Sequence, residues 1–185
     1  ELVSESSLVS DSSDPFKGNI DLDKLKSTIA EVGAEHIPFV RVEAGTNLIG
    51  GQPVSLKNMA AVAEICKAHG IMTVLDASLL QDNLYFMKVR EEECRDLVIK
   101  EIILKVASYF DIIYFSARKL GFARGGGLCL RTKELWDTMK EFVPLYEGFL
   151  TYGGMSVREM AAITEGLDET LDLEVISQGP QFIRY

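Results

Sequence analysis

The stretch DIIYFSARKLGFARGGGLCL, residues 111–130, decides how the chain is read. It opens as an apolar run with β-branched and aromatic residues, the composition of a buried strand. It closes on three glycines and a second apolar run, GGLCLRT, read as another strand. Between the two stand Arg118 and Lys119. A cation placed directly after a buried strand costs several kcal/mol, roughly, unless something compensates it. Lys119 therefore needs an explanation.

Working outward, the same alternation recurs. DLDKLKSTIAEVG has apolar residues at Leu22, Leu25, Ile29 and Val32 and stops at Gly33, which predicts a helix. HIPFVRVEA predicts a strand that runs into the loop GTNLIGGQP. SLKNMAAVAEICKAHG predicts a helix capped by Ser55, with a stripe of Met59, Val62, Ile65 and Cys66 and a stop at Gly70. IMTVLDA predicts a strand ending at Asp76. EECRDLVIKEIILKVASYF predicts one long helix, with Leu97, Ile99, Ile102, Ile103 and Val106 on its apolar side. Helical stretches follow near 132–142 and 155–170. Residues 1–18 read as an irregular opening segment that could hold a short strand. Strands alternating with helices predict an α/β fold with a mostly parallel sheet. Right-handed crossovers bring the strand C-termini to one edge, where such sheets bind ligands. Asn47, Asp76 and Lys119 each follow or end a strand, so all three are expected at that edge.

Composition narrows the function. The formal net charge is −9 with no basic block, which argues against a nucleic-acid partner. No apolar run reaches the ~20 residues of a membrane span. The acidic, Ser-rich start lacks a signal-peptide pattern, so a cytoplasmic location is expected. Cys66, Cys94 and Cys129 show no metal-site spacing and are expected to be free thiols. His36 and His69 receive no catalytic role; His69, before Gly70, suits the end of a helix.

The edge residues each have two readings. Asp76 is either a turn-capping carboxylate or one that holds a cationic ligand or metal. Lys119 is either a snorkelling surface residue or an amine that forms a Schiff base with an aldehyde. A lysine imine together with an aspartate on a pyridine nitrogen is the pattern of pyridoxal phosphate (PLP) chemistry. The glycines of GTNLIGGQPVS and ARGGGLCL match neither standard phosphate-binding spacing. They serve either close backbone approach or ordinary turns.

Four segments then carry a resemblance: TNLIGGQPVSLKNM, VLDASLLQDNLYFMKVRE, FSARKLGFARGGGLCL and YEGFLTYGGMSVREM. Together with FKGNIDLDKL they resemble, in order and over essentially the whole chain, the tryptophanase and tyrosine phenol-lyase family. These are PLP-dependent β-eliminating lyases with the aspartate-aminotransferase fold. MKVRE and EGFLTYGG look somewhat closer to tryptophanase.

The resemblance implies that Lys119 holds PLP and moves the substrate Cα proton. It implies Asp76 on the ring nitrogen, Asn47 near the ring oxygen and substrate carboxylate, and Ser116 on the phosphate. Arg118 stands for a neighbouring lysine, and Ser78 joins the cofactor-binding positions. Three departures stand out. Leu79 replaces an arginine that contacts the ring oxygen. Leu120 replaces an aspartate. Arg124 replaces an asparagine that helps bind a monovalent cation, so a guanidinium would stand in for potassium.

The family's chains are expected to be more than twice as long. Residues 1–185 then form one partial PLP-binding large domain, lacking both family termini. The implied substrate is an aromatic amino acid, cleaved to pyruvate and ammonia, and the implied assembly is a homo-oligomer, a tetramer at full length. Rival readings are another PLP reaction on the same fold, an aldolase or aminotransferase, or a non-catalytic fragment.

Overall fold

The computed structural model describes residues 2–5, 9, 12–121 and 123–182. At its centre lies a four-stranded sheet in the order β1-β2-β3-β4. Strands β1 (Phe39–Glu43), β2 (Met72–Asp76) and β3 (Ile112–Ser116) run parallel. Strand β4 (Gly126–Leu130) is antiparallel to β3. Residues 117–125 are too short a link for a parallel crossover, so the chain has to turn back. The expected mostly parallel sheet is found, with β4 as its one reversed strand.

Helix α1 (Leu22–Val32) precedes the sheet, and the Asp21 side chain accepts its first free amides. Helix α2 (Leu56–Ala68) links β1 to β2 and is capped by Ser55. Glu91 adds a second cap there, accepting from the amides of Leu56 and Lys57 at 2.8 and 3.2 Å. Two helices, α3 (Leu80–Arg90) and α4 (Ile99–Ser108), lie between β2 and β3. After β4 come α5 (Lys133–Met139), α6 (Phe142–Tyr146), α7 (Val157–Glu169) and α8 (Leu173–Phe182). Ser156 and Glu159 cap α7 reciprocally.

The two faces of the sheet differ. Val40, Val42 and Leu75 share the main core with Met59 and Val62 of α2 and Ile102 and Val106 of α4. The alternate residues Phe39, Arg41, Glu43, Asp76, Tyr114 and Leu128 lie on the other face and are exposed or half-buried.

Two expectations need correction. The helix read over 92–110 begins at Ile99; before it stand a short 3₁₀ turn, Glu92–Cys94, and a bend. The Lys88 ammonium fixes this bend by donating to the carbonyls of Arg95 and Leu97 at 2.5 and 2.6 Å. Helix α3 has no counterpart among the helices read from periodicity. Leu80, Gln81, Asn83, Leu84, Tyr85 and Met87 are all buried, so it has no polar stripe to alternate with an apolar one. In the opening segment, Val3 forms an isolated bridge with Ile20 instead of a strand. Residues 1, 6–8, 10 and 11, also covered by that reading, lie outside the described residues.

Candidate active site

The C-terminal ends of the three parallel strands carry the candidate residues. Asn47 starts a 3₁₀ turn just after β1, Asp76 is the last residue of β2, and Lys119 follows β3 by three residues. Ser78 and Ser116 stand at the same edge. Among the described residues no hydrogen bond or ion pair joins Asn47, Asp76 and Lys119 to one another.

Asp76 is held on both oxygens. Oδ1 accepts from the Ser78 amide at 3.0 Å, and Oδ2 accepts from the Tyr114 hydroxyl at 2.9 Å. An ionised carboxylate offers about four lone-pair sites, so two remain for a ligand. The buried Ser78 hydroxyl oxygen accepts from the Ser116 amide at 3.1 Å and ties the ends of β2 and β3 together.

Lys119 lies in an exposed turn, and its ammonium has no hydrogen-bond or salt-bridge partner among the described residues. The turn itself is anchored. Its carbonyl oxygen accepts from Gln81 Nε2 of α3 at 3.1 Å, and the amides of Lys119 and Leu120 both donate to the Ser116 carbonyl. Behind it, Gly166 of α7 presses on the Gly121 carbonyl so closely that a methyl group would collide with it. Gly121 has a φ of +84°, which only glycine adopts without strain.

The Asn47 loop is held by Asn83, whose side chain is completely buried. Asn83 Oδ1 accepts from the amides of Gly45 and Val54 at 3.2 and 2.8 Å, and Nδ2 donates to the Val54 carbonyl at 2.8 Å. Inside the loop the amides of Thr46, Ile49, Gly50 and Gly51 donate to loop carbonyls, so this backbone is not an open phosphate cradle. Asn47 is exposed, and its Nδ2 donates to Glu43 at 2.7 Å. In the other glycine run, Gly126 and Gly127 are pressed against the Phe115 carbonyl and ring. That run is the close-packed start of β4.

The departures acquire physical reasons. Leu79 fills the space beside Gly45, where a Cβ would lie 2.7 Å from the Leu79 Cβ. Leu120 is buried in the main core. Arg124 is exposed and lies within electrostatic reach of Glu159. The Glu159 carboxyl is held below its ordinary value by the Ser156 amide and hydroxyl first, with Arg124 and Arg158 adding to this.

Arg118 is exposed beside Lys119. Sequence reasoning missed Arg41, Gln81, Asn83 and Tyr114. Arg41 carries the one signal that was there to use: a cation inside an apolar strand poses the same question as Lys119.

The donor set suits PLP. It offers a primary amine for an aldehyde and a fixed carboxylate with free lone pairs for a ring N–H. Beside them stand two serines and a guanidinium, suited to an anion.

Comparison with known proteins agrees with this chemistry. Residues 3–178 match the family described as beta-eliminating lyase. A tyrosine phenol-lyase of Fusobacterium nucleatum is 45% identical over 92% of this chain and 37% of its own length. That of Clostridium tetani is 44% identical over the same shares. The chain thus spans little more than a third of these relatives. Both bear the tyrosine phenol-lyase name, so the tryptophanase lean of two segments is not carried forward.

An Exiguobacterium structure described as an aromatic amino acid beta-eliminating lyase/threonine aldolase superposes with a TM-score of 0.55 at 18% identity, over 72% of this chain and 34% of that one. An L-allo-threonine aldolase of Listeria monocytogenes gives 0.53 at 19%, over 72% and 33%. These two likenesses show the shared fold. On the match over residues 3–178, the chain belongs to the beta-eliminating lyase family.

Proposed function

We propose that this chain carries the Asp/Lys half of a PLP site for β-elimination from an aromatic amino acid, yielding pyruvate and ammonia. The observation that carries the reading is the pairing at one sheet edge of an uncommitted amine, Lys119, with an aspartate pinned on both oxygens. Bound PLP would supply the electron sink that makes the substrate Cα–H acidic.

Lys119 would hold the cofactor aldehyde, yield it to the substrate amine, and then take the Cα proton on Nζ. Proton transfer by a positioned group contributes about 10²–10⁴-fold. Asp76 would accept from the ring N–H through a remaining lone pair and keep that proton in place. Ser116, Ser78 and Arg118 would bind the phosphate, where charge-assisted hydrogen bonds are strong. Asn47 has one Nδ2 hydrogen left beyond its bond to Glu43 and would present it to the ring oxygen or substrate carboxylate.

Residues 1–185 would be one piece of a larger cofactor-binding domain in a homo-oligomer. The exposed Phe142, Leu145, Tyr146 and Phe149 support such association. Arg124, with its own charge, supports activity independent of added potassium. The expected location is the cytoplasm; among the described residues no helix is long and apolar enough to cross a membrane.

The test is the absorbance of the purified chain with PLP, followed by borohydride reduction and peptide mapping. A pyridoxyl group on Lys119 is expected. Label spread over surface lysines would favour a non-catalytic fragment. The apolar Leu79 leaves room for an aldolase or aminotransferase, and product analysis separates these: pyruvate with ammonia marks elimination.

A further inference from the structure

We propose that Tyr114, backed by Arg41, is the positioning residue that fixes the Asp76 carboxylate toward a cationic ring N–H. The inference rests on the PLP reading above and adds two residues to it.

The sheet register makes the contact possible. Asp76 and Tyr114 are direct partners in the parallel β2–β3 pair, so both side chains leave the same face. The Tyr114 hydroxyl reaches Asp76 Oδ2 at 2.9 Å. Arg41, one strand further out, reaches the Tyr114 oxygen from Nη1 at 3.4 Å. Direction follows from chemistry. A guanidinium can only donate, so the phenol oxygen must be the acceptor in that contact. Its own proton is then free to go to Asp76 and nowhere else in this chain of three. With the Ser78 amide on Oδ1 at 3.0 Å, the carboxylate has one donor on each oxygen and cannot rotate without losing both.

The phenol has to remain protonated for this task. Burial raises the Tyr114 pKa above its ordinary value, Asp76 raises it further, and Arg41 works in the opposite sense. The charged groups that act on it are Arg41 on β1 and Asp76 on β2, and Glu43 on β1 acts on Arg41; its partner on β4 is the apolar Leu128. A tyrosine that merely filled space on this half-open face would need neither neighbour.

The test has two parts on the full chain. In the cofactor-free protein labelled with [13Cζ]tyrosine, the Tyr114 resonance is identified by its loss in Tyr114→Phe. Asp76→Asn is expected to move its ionisation to lower pH and Arg41→Met to higher pH. With PLP added, Tyr114→Phe is expected to weaken binding about tenfold or more, the scale of a lost hydrogen bond to a charged group. It should also diminish the circular dichroism of the bound chromophore. Arg41→Met should have a smaller effect in the same direction, and Arg41→Lys should restore part of it.

A Tyr114 titration indifferent to both neighbours overturns the proposal without reference to the cofactor. So does a Tyr114→Phe protein with wild-type PLP affinity and dichroism. If the wild type places no PLP on Lys119 while Tyr114 still responds to both substitutions, the PLP reading fails. The hydrogen bonds then stand without the positioning role.

Discussion

The Asn47 loop and the Lys119 turn occupy the same sheet edge, yet they are held in opposite styles. The loop is pegged by polar contacts: one buried amide, Asn83, bonds both of its ends. The turn is held by shape. Among the described residues it has a single side-chain bond, from Gln81, with a buried Leu120 beneath it and a glycine of α7 pressed against its back. The difference suits the proposed roles. A residue that only offers a hydrogen bond can sit on a rigid loop. A lysine that exchanges partners and moves a proton needs a fixed base and an unencumbered end.

Substitutions can break this contrast. The largest effect is expected from Leu120→Asp, which puts the family's carboxylate into the core of this chain. Burying an unpaired charge should cost about 3–5 kcal/mol of stability, read by urea unfolding. A stable Leu120→Asp protein would show that the turn is not held by its core contact.

Asn83→Ala comes next. It strands two amides and one carbonyl at the ends of the Asn47 loop, for a loss of about 3 kcal/mol. Proteolysis of the loop should accelerate, while the Lys119 turn keeps its protection.

Gly166→Ala should act in the mirror-image manner. The added methyl meets the Gly121 carbonyl, backbone against backbone, at a cost of about 1–3 kcal/mol. Hydrogen exchange should rise in the Lys119 turn and stay unchanged in the Asn47 loop. Equal changes in both would dissolve the contrast.

The smallest effect belongs to Asp82, which lies between the two anchors on α3 and faces Gly179 of α8. Burial raises its pKa above 3.8. The folded chain therefore holds the proton more tightly than the unfolded one. Stability from this group is present below the ordinary value and is lost as pH rises through the raised one. Asp82→Asn should stabilise the chain at neutral pH and remove that part of the pH dependence. Unfolding curves at pH 4 and pH 7 would show it; a variant less stable at pH 7 would mean that the carboxylate has a favourable contact there.

Much of this architecture was legible because its strands and caps follow simple rules. The runs ending at Asp76 and Ser116 read as strands, although the second, read as buried, is half-buried after Ile112, and their crossovers placed three polar residues at one edge. Ser55, Gly33 and Gly70 punctuated α1 and α2 as expected. Helix α3 escaped because it is buried on several sides and starts at Leu79, which provides no side-chain cap. The bend before Ile99 escaped because it is fixed by the side chain of Lys88, on the preceding helix, and not by a proline or glycine. The supporting residues of the site escaped for a related reason. Asn83 and Gln81 look like surface polar residues until their partners on other segments are known, and Tyr114 meets Asp76 only through the strand register.

Helix α3 delivers Gln81, Asp82 and Asn83 in succession to the Lys119 turn, to α8 and to the Asn47 loop. Each step along a helix turns through about 100°. The helix thus works as an indexing shaft with three consecutive teeth. Lengthening or shortening the link between Asp76 and Leu80 by one residue would leave its composition nearly intact but rotate every tooth to the wrong neighbour. Length changes there should be far harder to accommodate than substitutions, and grafting this edge onto another scaffold would require the spacing from Asp76 to Asn83 to be carried over whole.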